Sequence, residues 1–314
     1  MAYLGRIETG TSKTGWISPM GDYDTFNTTL IAGLTYSVAA KGASSNSGTL
    51  GDPNLALYNS GGTRLLFNDD VQPGVNRDAQ ITFKIGAGGT GTYTLGVGEQ
   101  GNNATGSYTL TVSAGYATNA NDSVTGTASY DAIHGMAGND LIYGMGGNDN
   151  LIGGLGNDHL VGGTGADALQ GQTGADVLRG QGGNDVLFGG QGADDLYGGT
   201  GADRFVFTSH THSNAIHGVD VIAAADGAVA FEGVGVAGGD RIDLTGIDAN
   251  LNVAGNQAFV FSASAAAGTL VLREVNGNTV MEGHVNGDRT VDFQLIIADG
   301  ATTAYQYSAD EFLL

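Results

Sequence analysis

The sequence predicts an all-β chain in three parts: a β-sandwich over residues 1–115, a coil of stacked parallel strands over 116–206, and a β-rich segment over 207–314. Three observations lead there. Glycine accounts for 56 of the 314 residues, beside 3 Pro and no Cys, well above its usual share. In the middle part, 23 of the 81 residues from 126 to 206 are Gly, and they recur with a period of nine. On either side, apolar residues alternate at a spacing of two between clusters of Gly, Asn and Asp, as half-buried strands require.

Composition narrows the function classes. The chain carries 32 acidic and 11 basic side chains, a formal charge of −21, which opposes binding to nucleic acid or anionic lipid. Without Cys there is no disulfide or thiolate metal site. Apolar residues make up 41%, enough to build cores, and no run of 18 of them exists to span a membrane. The first residues, MAYLGRIETG, lack the charged-then-apolar pattern of a secretory signal, so a cleaved amino-terminal signal is not the expected export route. The acid excess is uneven: residues 1–115 hold 8 acids and 6 bases, 116–206 hold 11 and 2, and 207–314 hold 13 and 3.

In the first part, Leu34, Tyr36 and Val38, Ile81, Phe83 and Ile85, Tyr93, Leu95 and Val97, and Tyr108, Leu110 and Val112 each read as one face of a strand, the pattern of a small sandwich. Gly96 to Gly101 match GxGxxG, but within a hairpin, with no helix following, this is no dinucleotide site. Asp22, Asp24, Asp69 and Asp70 read as solvated turn acids, with a further Ca²⁺ site as the alternative. The segments Asp22-Tyr23-Asp24-Thr25-Phe26, Ala32-Gly33-Leu34-Thr35-Tyr36, Asp52-Pro53 with Leu55, Leu57 and Tyr58, and Asn68-Asp69-Asp70 resemble the bacterial pre-peptidase C-terminal domain. The resemblance implies a substrate-engaging or processing appendage.

In the middle part, eight nonapeptides run without insertion from residue 135 to 206: GMAGNDLIY, GMGGNDNLI, GGLGNDHLV, GGTGADALQ, GQTGADVLR, GQGGNDVLF, GGQGADDLY and GGTGADRFV. Positions 1 and 4 are always Gly and position 6 is always Asp. Position 8 is always Ile, Leu or Phe. The phase continues upstream, degraded, through Gly126, Asp131 and Ile133 towards Asp122 and Val124, as a terminal cap would. A three-residue strand buries its central apolar residue, and six Gly-rich residues reverse the chain. Two such units form one turn of the coil, of 18 residues. The position 6 acids then fall into two rows, Asp140, Asp158, Asp176 and Asp194 in one and Asp131, Asp149, Asp167, Asp185 and Asp203 in the other.

Neighbours in a row would stand about 4.8 Å apart. Bare carboxylates at that distance repel by roughly 1 kcal/mol in water and about 3.5 kcal/mol at an effective dielectric of 20. A hard divalent cation between turns reverses the sign, and Ca²⁺, which takes six to eight oxygens in flexible geometry, suits such a site better than Mg²⁺. The simpler alternative is that Asp only shapes the turns by hydrogen bonding to backbone. Turn chemistry would also accept Asn or Ser, whereas Asp is used at every copy.

The blocks resemble the GGxGxDxUx nonapeptide of RTX proteins, the hemolysin-type repeat. The resemblance implies a parallel β-roll that binds several Ca²⁺ ions through the position 6 Asp and through carbonyls at positions 1, 3 and 5. Those are Gly135, Ala137 and Asn139, Gly144, Gly146 and Asn148, Gly153, Leu155 and Asn157, and Gly162, Thr164 and Ala166. In the later blocks they are Gly171, Thr173 and Ala175, Gly180, Gly182 and Asn184, Gly189, Gln191 and Ala193, and Gly198, Thr200 and Ala202. Met136, Met145, Gln172 and Gln181 depart from the pattern in replacing the second Gly, which a carbonyl ligand should tolerate. The family implies export in an unfolded state through a type I secretion apparatus of a Gram-negative bacterium, then folding in calcium-rich surroundings.

In the last part, the segments from Gly239 to Asp248 (GDRIDLTGID) and from Val285 to Phe293 (VNGDRTVDF) resemble the strand, turn and late hairpin of the C-terminal region of serralysin-type proteases. The closing Asp310-Glu311-Phe312-Leu313-Leu314 resembles that family's type I secretion signal, with a packed final strand as the alternative. Residues 223–237 are longer than that pattern expects. HExxH and GxSxG are absent, which removes the signatures of RTX proteases and lipases. Motifs do not exclude paired carboxylates for glycoside cleavage, but nearly every Asp has a structural use and Trp16 is the single Trp. His210, His212 and His217 are candidates for Zn²⁺ or Ni²⁺, or belong to a polar loop leaving the coil. His134 and His159 fall at outward positions and are expected in solvent. Leu141, Tyr143, Val177 and Tyr197 give one outer face apolar character that a partner could cover.

The expectation is therefore a secreted, non-catalytic calcium-binding protein, structural or surface-associated, with self-assembly into a matrix or layer among the roles it could serve. The rivals are a protein- or glycan-binding accessory module of an extracellular hydrolase, and the non-catalytic part of a serralysin-like protease.

Overall fold

The structure is a computed structural model that describes residues 2–17, 23–42, 50, 53–68, 78–86, 88–99, 105–224, 231, 239–254, 256–298, 307 and 311–314. It divides into two compact units, Met1–Ala117 and Thr118–Leu314. Every regular element among the described residues is a β-strand.

The first unit holds ten strands: β1 (Ala2–Arg6), β2 (Ser12–Ile17), β3 (Asp24–Leu30), β4 (Thr35–Lys41), β5 (Pro53–Tyr58), β6 (Arg64–Asn68), β7 (Ala79–Lys84), β8 (Gly91–Glu99), β9 (Gly106–Val112) and β10 (Gly115–Tyr116). One sheet runs β1-β3-β8-β5-β6. In the other, β9 lies between β2 and β4, and β7 and β10 also pair with β4. The apolar alternation lies where the sequence put it. Tyr36, Val38, Leu95, Val97, Tyr108, Leu110 and Val112 are buried, and Phe26 of one sheet meets Tyr108 of the other edge to face at 6.5 Å.

Asp24 corrects an expectation. It is no solvated turn acid but lies buried at the start of β3, where the Tyr108 hydroxyl donates to its Oδ2 at 2.7 Å. Burial and the facing carboxylate hold the Tyr108 hydroxyl far above its ordinary pKa. Asp22, Asp69 and Asp70 lie outside the described residues.

In the second unit a short strand, β11 (Ser123–Thr125), leads into β12 (Ala132–Ala137), β13 (Leu141–Gly146), β14 (Asn150–Leu155), β15 (His159–Thr164), β16 (Ala168–Thr173), β17 (Val177–Gly182), β18 (Val186–Gln191), β19 (Asp195–Thr200) and β20 (Arg204–Val206). Successive strands join opposite sheets, so each pairs in parallel with the strand two further on. Ile142 pairs with Leu160, Leu160 with Leu178, and Leu178 with Leu196, at the predicted 18-residue step. Position 8 is buried in every copy and forms the core between the two sheets.

The strands are longer than expected. Each of β12 to β19 spans six residues, and pairing resumes at position 2, as in Met145 with Gly163, leaving three residues for the turn. A positive φ at position 2 kinks the strand without ending it. Four of these positions are Gly, with φ from 102° at Gly199 to 122° at Gly154, and four are Met136, Met145, Gln172 and Gln181, with φ of 84°, 81°, 78° and 75°.

Beyond the repeats, β21 (Asp220–Ala223), β22 (Arg241–Asp243), β23 (Val260–Phe261), β24 (Thr269–Val275), β25 (Asn278–His284), β26 (Phe293–Ala298) and β27 (Phe312–Leu313) follow. They continue both sheets of the coil, in the orders β18-β20-β22-β27 and β19-β21-β26-β25-β24-β23. The Val285 to Phe293 segment links antiparallel β25 and β26, and Asp292 accepts from Val285 N and Asn286 Nδ2 across it, both at 2.9 Å. Phe312 is buried and pairs with Ile242, so the apolar end of the chain packs as a final strand. Asp310 and most of residues 223–237 lie outside the described residues.

Candidate metal centre

The position 6 acids form two ladders. In each, a backbone N–H donates to Oδ1 of the Asp one turn later: Asp131 to Asp149 and Asp140 to Asp158 at 2.8 Å, Asp149 to Asp167 at 2.7 Å, and Asp158 to Asp176 at 2.8 Å. Asp167 to Asp185 at 2.8 Å, Asp176 to Asp194 at 2.9 Å and Asp185 to Asp203 at 2.8 Å complete the run. All nine side chains are buried. This is the turn-shaping role, and it uses one oxygen, Oδ1, of each accepting carboxylate.

The second oxygen is a different matter. Oδ2 of Asp140, Asp149, Asp158, Asp167, Asp176, Asp185 and Asp194 is buried without a hydrogen-bond partner, a costly state for a carboxylate that nothing neutralises. Position 1 explains where these atoms point. A Cβ built on Gly135 would collide with Asp140 Oδ2 and with the Gly153 carbonyl oxygen of the next turn. Gly144, Gly171 and Gly180 repeat that geometry, with the Gly162, Gly189 and Gly198 carbonyls. Glycine is obligatory here because it leaves open a cradle between a carboxylate oxygen and a neighbouring turn's carbonyl.

Electrostatics agree. Burial first, and then the neighbouring carboxylates of the row, push Asp149, Asp176 and Asp185 up to about 7, against a backbone N–H that pulls them down. Burial likewise raises Asp194 to about 6. Asp140, Asp158 and Asp167 are raised too, chiefly by burial.

Positions 3 and 5 hold the turns in register. The carbonyls of Leu155, Thr164, Thr173, Gly182, Gln191 and Thr200 accept from the position 4 Gly one turn earlier at 2.8–2.9 Å. At position 5, Asn139, Asn148, Asn157 and Asn184 each accept a backbone N–H from the following turn through Oδ1, at 2.9–3.0 Å. This side-chain ladder was not foreseen. Its signal in the sequence is the G-N-D triplet at positions 4 to 6, found at 138–140, 147–149, 156–158 and 183–185.

The donor set is all oxygen and rich in carbonyls, which suits a hard cation of flexible geometry. Among the described residues no three His, Asp or Glu side chains converge on one point, so an ion here relies on one or two carboxylates and on backbone oxygens. The free Oδ2 atoms and the glycine cradles fit Ca²⁺.

The ladder ends differ from its middle. Asp131, foreseen as a ligand, receives Thr127 N at 2.7 Å and Thr127 Oγ1 at 3.0 Å on Oδ2, while Thr118 N and Oγ1 bind Asp122 in the same way. At the other end, Asp194 N donates to Asp220 Oδ1 at 2.9 Å and Asp203 N to Asp240 Oδ1 at 2.8 Å. The nine-residue period could not find Asp220 and Asp240, because 26 and 37 residues separate them from their partners. The fragment G-x-D-x-U could, since it recurs at Gly218–Ile222 and Gly238–Ile242. His210, His212 and His217 do not converge: His212 packs edge to face on Phe188 at 5.3 Å, and His217 Nδ1 bonds Asn214 Oδ1 at 3.2 Å. His134 and His159 are half-buried rather than solvated.

The RTX calcium-binding nonapeptide repeat family matches four times, over residues 116–151, 143–178, 152–185 and 170–205. Residues 116–205 are therefore a run of calcium-binding repeats wound into a parallel β-solenoid. None of the curated proteins matches the chain. Among solved structures, the pre-peptidase C-terminal domain of a Bacillus anthracis collagenase is 17% identical, over 34% of this chain and 92% of that one, with a TM-score of 0.26. The AlgE6R3 subunit of the Azotobacter vinelandii mannuronan C5-epimerase is 22% identical over 62% and 78%, with a TM-score of 0.26. The extracellular lipase LipA of Serratia marcescens is 14% identical over 63% and 40%, with a TM-score of 0.24. At these scores none of the three bears on what this chain does.

Proposed function

We propose that this chain is a secreted, non-catalytic calcium-binding protein of a Gram-negative bacterium, exported unfolded through a type I apparatus and folded by Ca²⁺ outside the cell. Its role is structural or surface-associated, as a component of an extracellular matrix or layer. The observation that carries the reading is the set of buried Oδ2 atoms from Asp140 to Asp194, without a hydrogen-bond partner and several facing the next turn's Gly carbonyl. Calcium, when bound, supplies the positive charge that these oxygens lack. The chain's own part is to hold Oδ1 on the neighbouring amide, so that Oδ2 points into the cradle. RTX repeats are typical of secreted proteins from Gram-negative bacteria, and no described helix is long and apolar enough to cross a membrane.

An outer face of the coil supports the assembly role. Tyr143, Val161, Arg179 and Tyr197 are successive cross-strand neighbours, half-buried save for Val161, which is buried. The Arg179 guanidinium lies 4.1 Å from the Tyr197 ring centroid. Light scattering and electron microscopy of the full chain in millimolar calcium, against chelator, test the role. Calcium-dependent particles larger than a monomer are expected, and monomers alone would overturn it.

A second reading, an accessory module that docks on a protein or glycan beside an extracellular hydrolase or protease, draws on the first unit. Its Trp16 is 57% exposed and its Tyr3 62%, two aromatic rings open to a ligand. Quenching or enhancement of the single tryptophan's fluorescence by a glycan panel would favour it.

A further inference from the structure

We propose that Asp220 carries a further calcium site beyond the last nonapeptide, where the Asp194 loop meets the Ser213–Asp220 segment. The inference rests on reading the acid rows as calcium ladders. Asp220 has no accessible surface. Its Oδ1 accepts the Asp194 N–H at 2.9 Å, and its Oδ2 is buried without a hydrogen-bond partner, the arrangement found within the repeats. The surrounding backbone is rebuilt in the same form. Gly218, at φ 121°, packs so closely on Gly192 and Ala193 that a Cβ would lie 2.8 Å and 2.7 Å from their atoms, which is the position 4 role. Val221 N donates to Asp194 O at 2.8 Å, as Arg204 N does to Asp185 O at 2.8 Å.

Positions 4 to 8 of a tenth rung are thus present, and only positions 1 to 3 are replaced, by the loop that enters through Ser213. That residue closes the rung from the far side: its Oγ accepts the Asp220 N–H at 2.7 Å and donates to the Gln294 carbonyl. A fully buried carboxylate oxygen that no N–H or O–H reaches requires a proton or a cation. The carboxylate chemistry of Asp220 and of the ladder neighbour Asp194, whose own Oδ2 is also buried without a hydrogen-bond partner, favours a hard divalent cation of the calcium type. An ion at this rung would pin the inserted loop to the coil.

Native mass spectrometry of the full chain in calcium tests the site. Asp220→Asn keeps the Oδ1 acceptor for Asp194 N–H and removes the charge, so the variant should keep its β content and bind one ion fewer than wild type. Equal ion counts above zero would overturn the Asp220 site and leave the ladders intact. A wild-type chain that binds no ion would remove the underlying reading instead. Crystals of the wild-type chain grown with terbium decide the question without a variant. An anomalous peak beside Asp220 is expected, and peaks among the repeats with none at Asp220 would overturn the site.

Discussion

At the scale of the residue, the position 6 Asp side chains from Asp140 to Asp194 offer their two oxygens for two tasks, and substitution separates them. Asp167→Asn leaves an oxygen for the Asp149 N–H, which now meets Asp167 Oδ1 at 2.7 Å, but removes the charge. Asp167→Ala also orphans that N–H, at a further cost of about 1–3 kcal/mol. A calcium titration followed by circular dichroism should therefore show both midpoints raised, with Ala roughly tenfold or more above Asn. Equal midpoints for Ala and wild type would contradict the assignment. Protonation offers a second test. Asp149, Asp176 and Asp185 rise from 3.8 to about 7 on folding without metal. A raised carboxylate favours the metal-free fold fully below its unfolded value, and the stabilisation fades as pH climbs through about 7. In chelator the coil should thus gain β-signal on acidification from pH 8 to pH 5, while the calcium demand falls at pH 8 relative to pH 6, because the ligands there are already deprotonated. A metal-free chain indifferent to pH over that interval would contradict the raised values.

At the scale of the element, the position 2 residues alternate in size along both sheets. The series are Met136, Gly154, Gln172 and Gly190 in one, and Met145, Gly163, Gln181 and Gly199 in the other. Every large side chain at a strained φ thus has glycine as its cross-strand neighbour, so the coil has a 36-residue rhythm superimposed on its 18-residue turn. Gly163→Gln would close the gap between Met145 and Gln181, and its Cβ would collide with the Met145 carbonyl. It should lower the melting temperature in saturating calcium by an amount equivalent to about 1–3 kcal/mol. Gln181→Gly, which relieves a φ of 75°, should leave the melting temperature unchanged or higher. The opposite order would show that the position 2 side chains, rather than the backbone, set stability. The core makes the plainest demand: Leu178 is fully buried between the sheets, and Leu178→Ala should cost about 2–5 kcal/mol.

At the scale of the whole molecule, the coil was legible because its information is local and repeated. The 18-residue register and the inward Leu at position 8 follow directly from the nonapeptide. The strand length did not, since a kinked strand and a short strand share one pattern until φ at Met136 or Gln172 is known. Asp24 looked like a turn acid because its partner, Tyr108, lies 84 residues away. Asp220 and Asp240 escaped because insertions broke the period while the fold kept the rung. Alternation identified the strands of the first unit but not their order, which depends on partners distant in sequence. Of the formal charge of −21, the largest organised share is the two ladders, and their repulsion should keep the metal-free coil open at neutral pH and above. The most direct measurement is a calcium titration of the full chain at pH 8, starting from chelator and followed by far-ultraviolet circular dichroism, with magnesium as the comparison. A cooperative gain of β-structure with calcium, and none at equal magnesium, is the predicted result. A coil already folded in chelator, with no spectral change as calcium is added, would contradict the account.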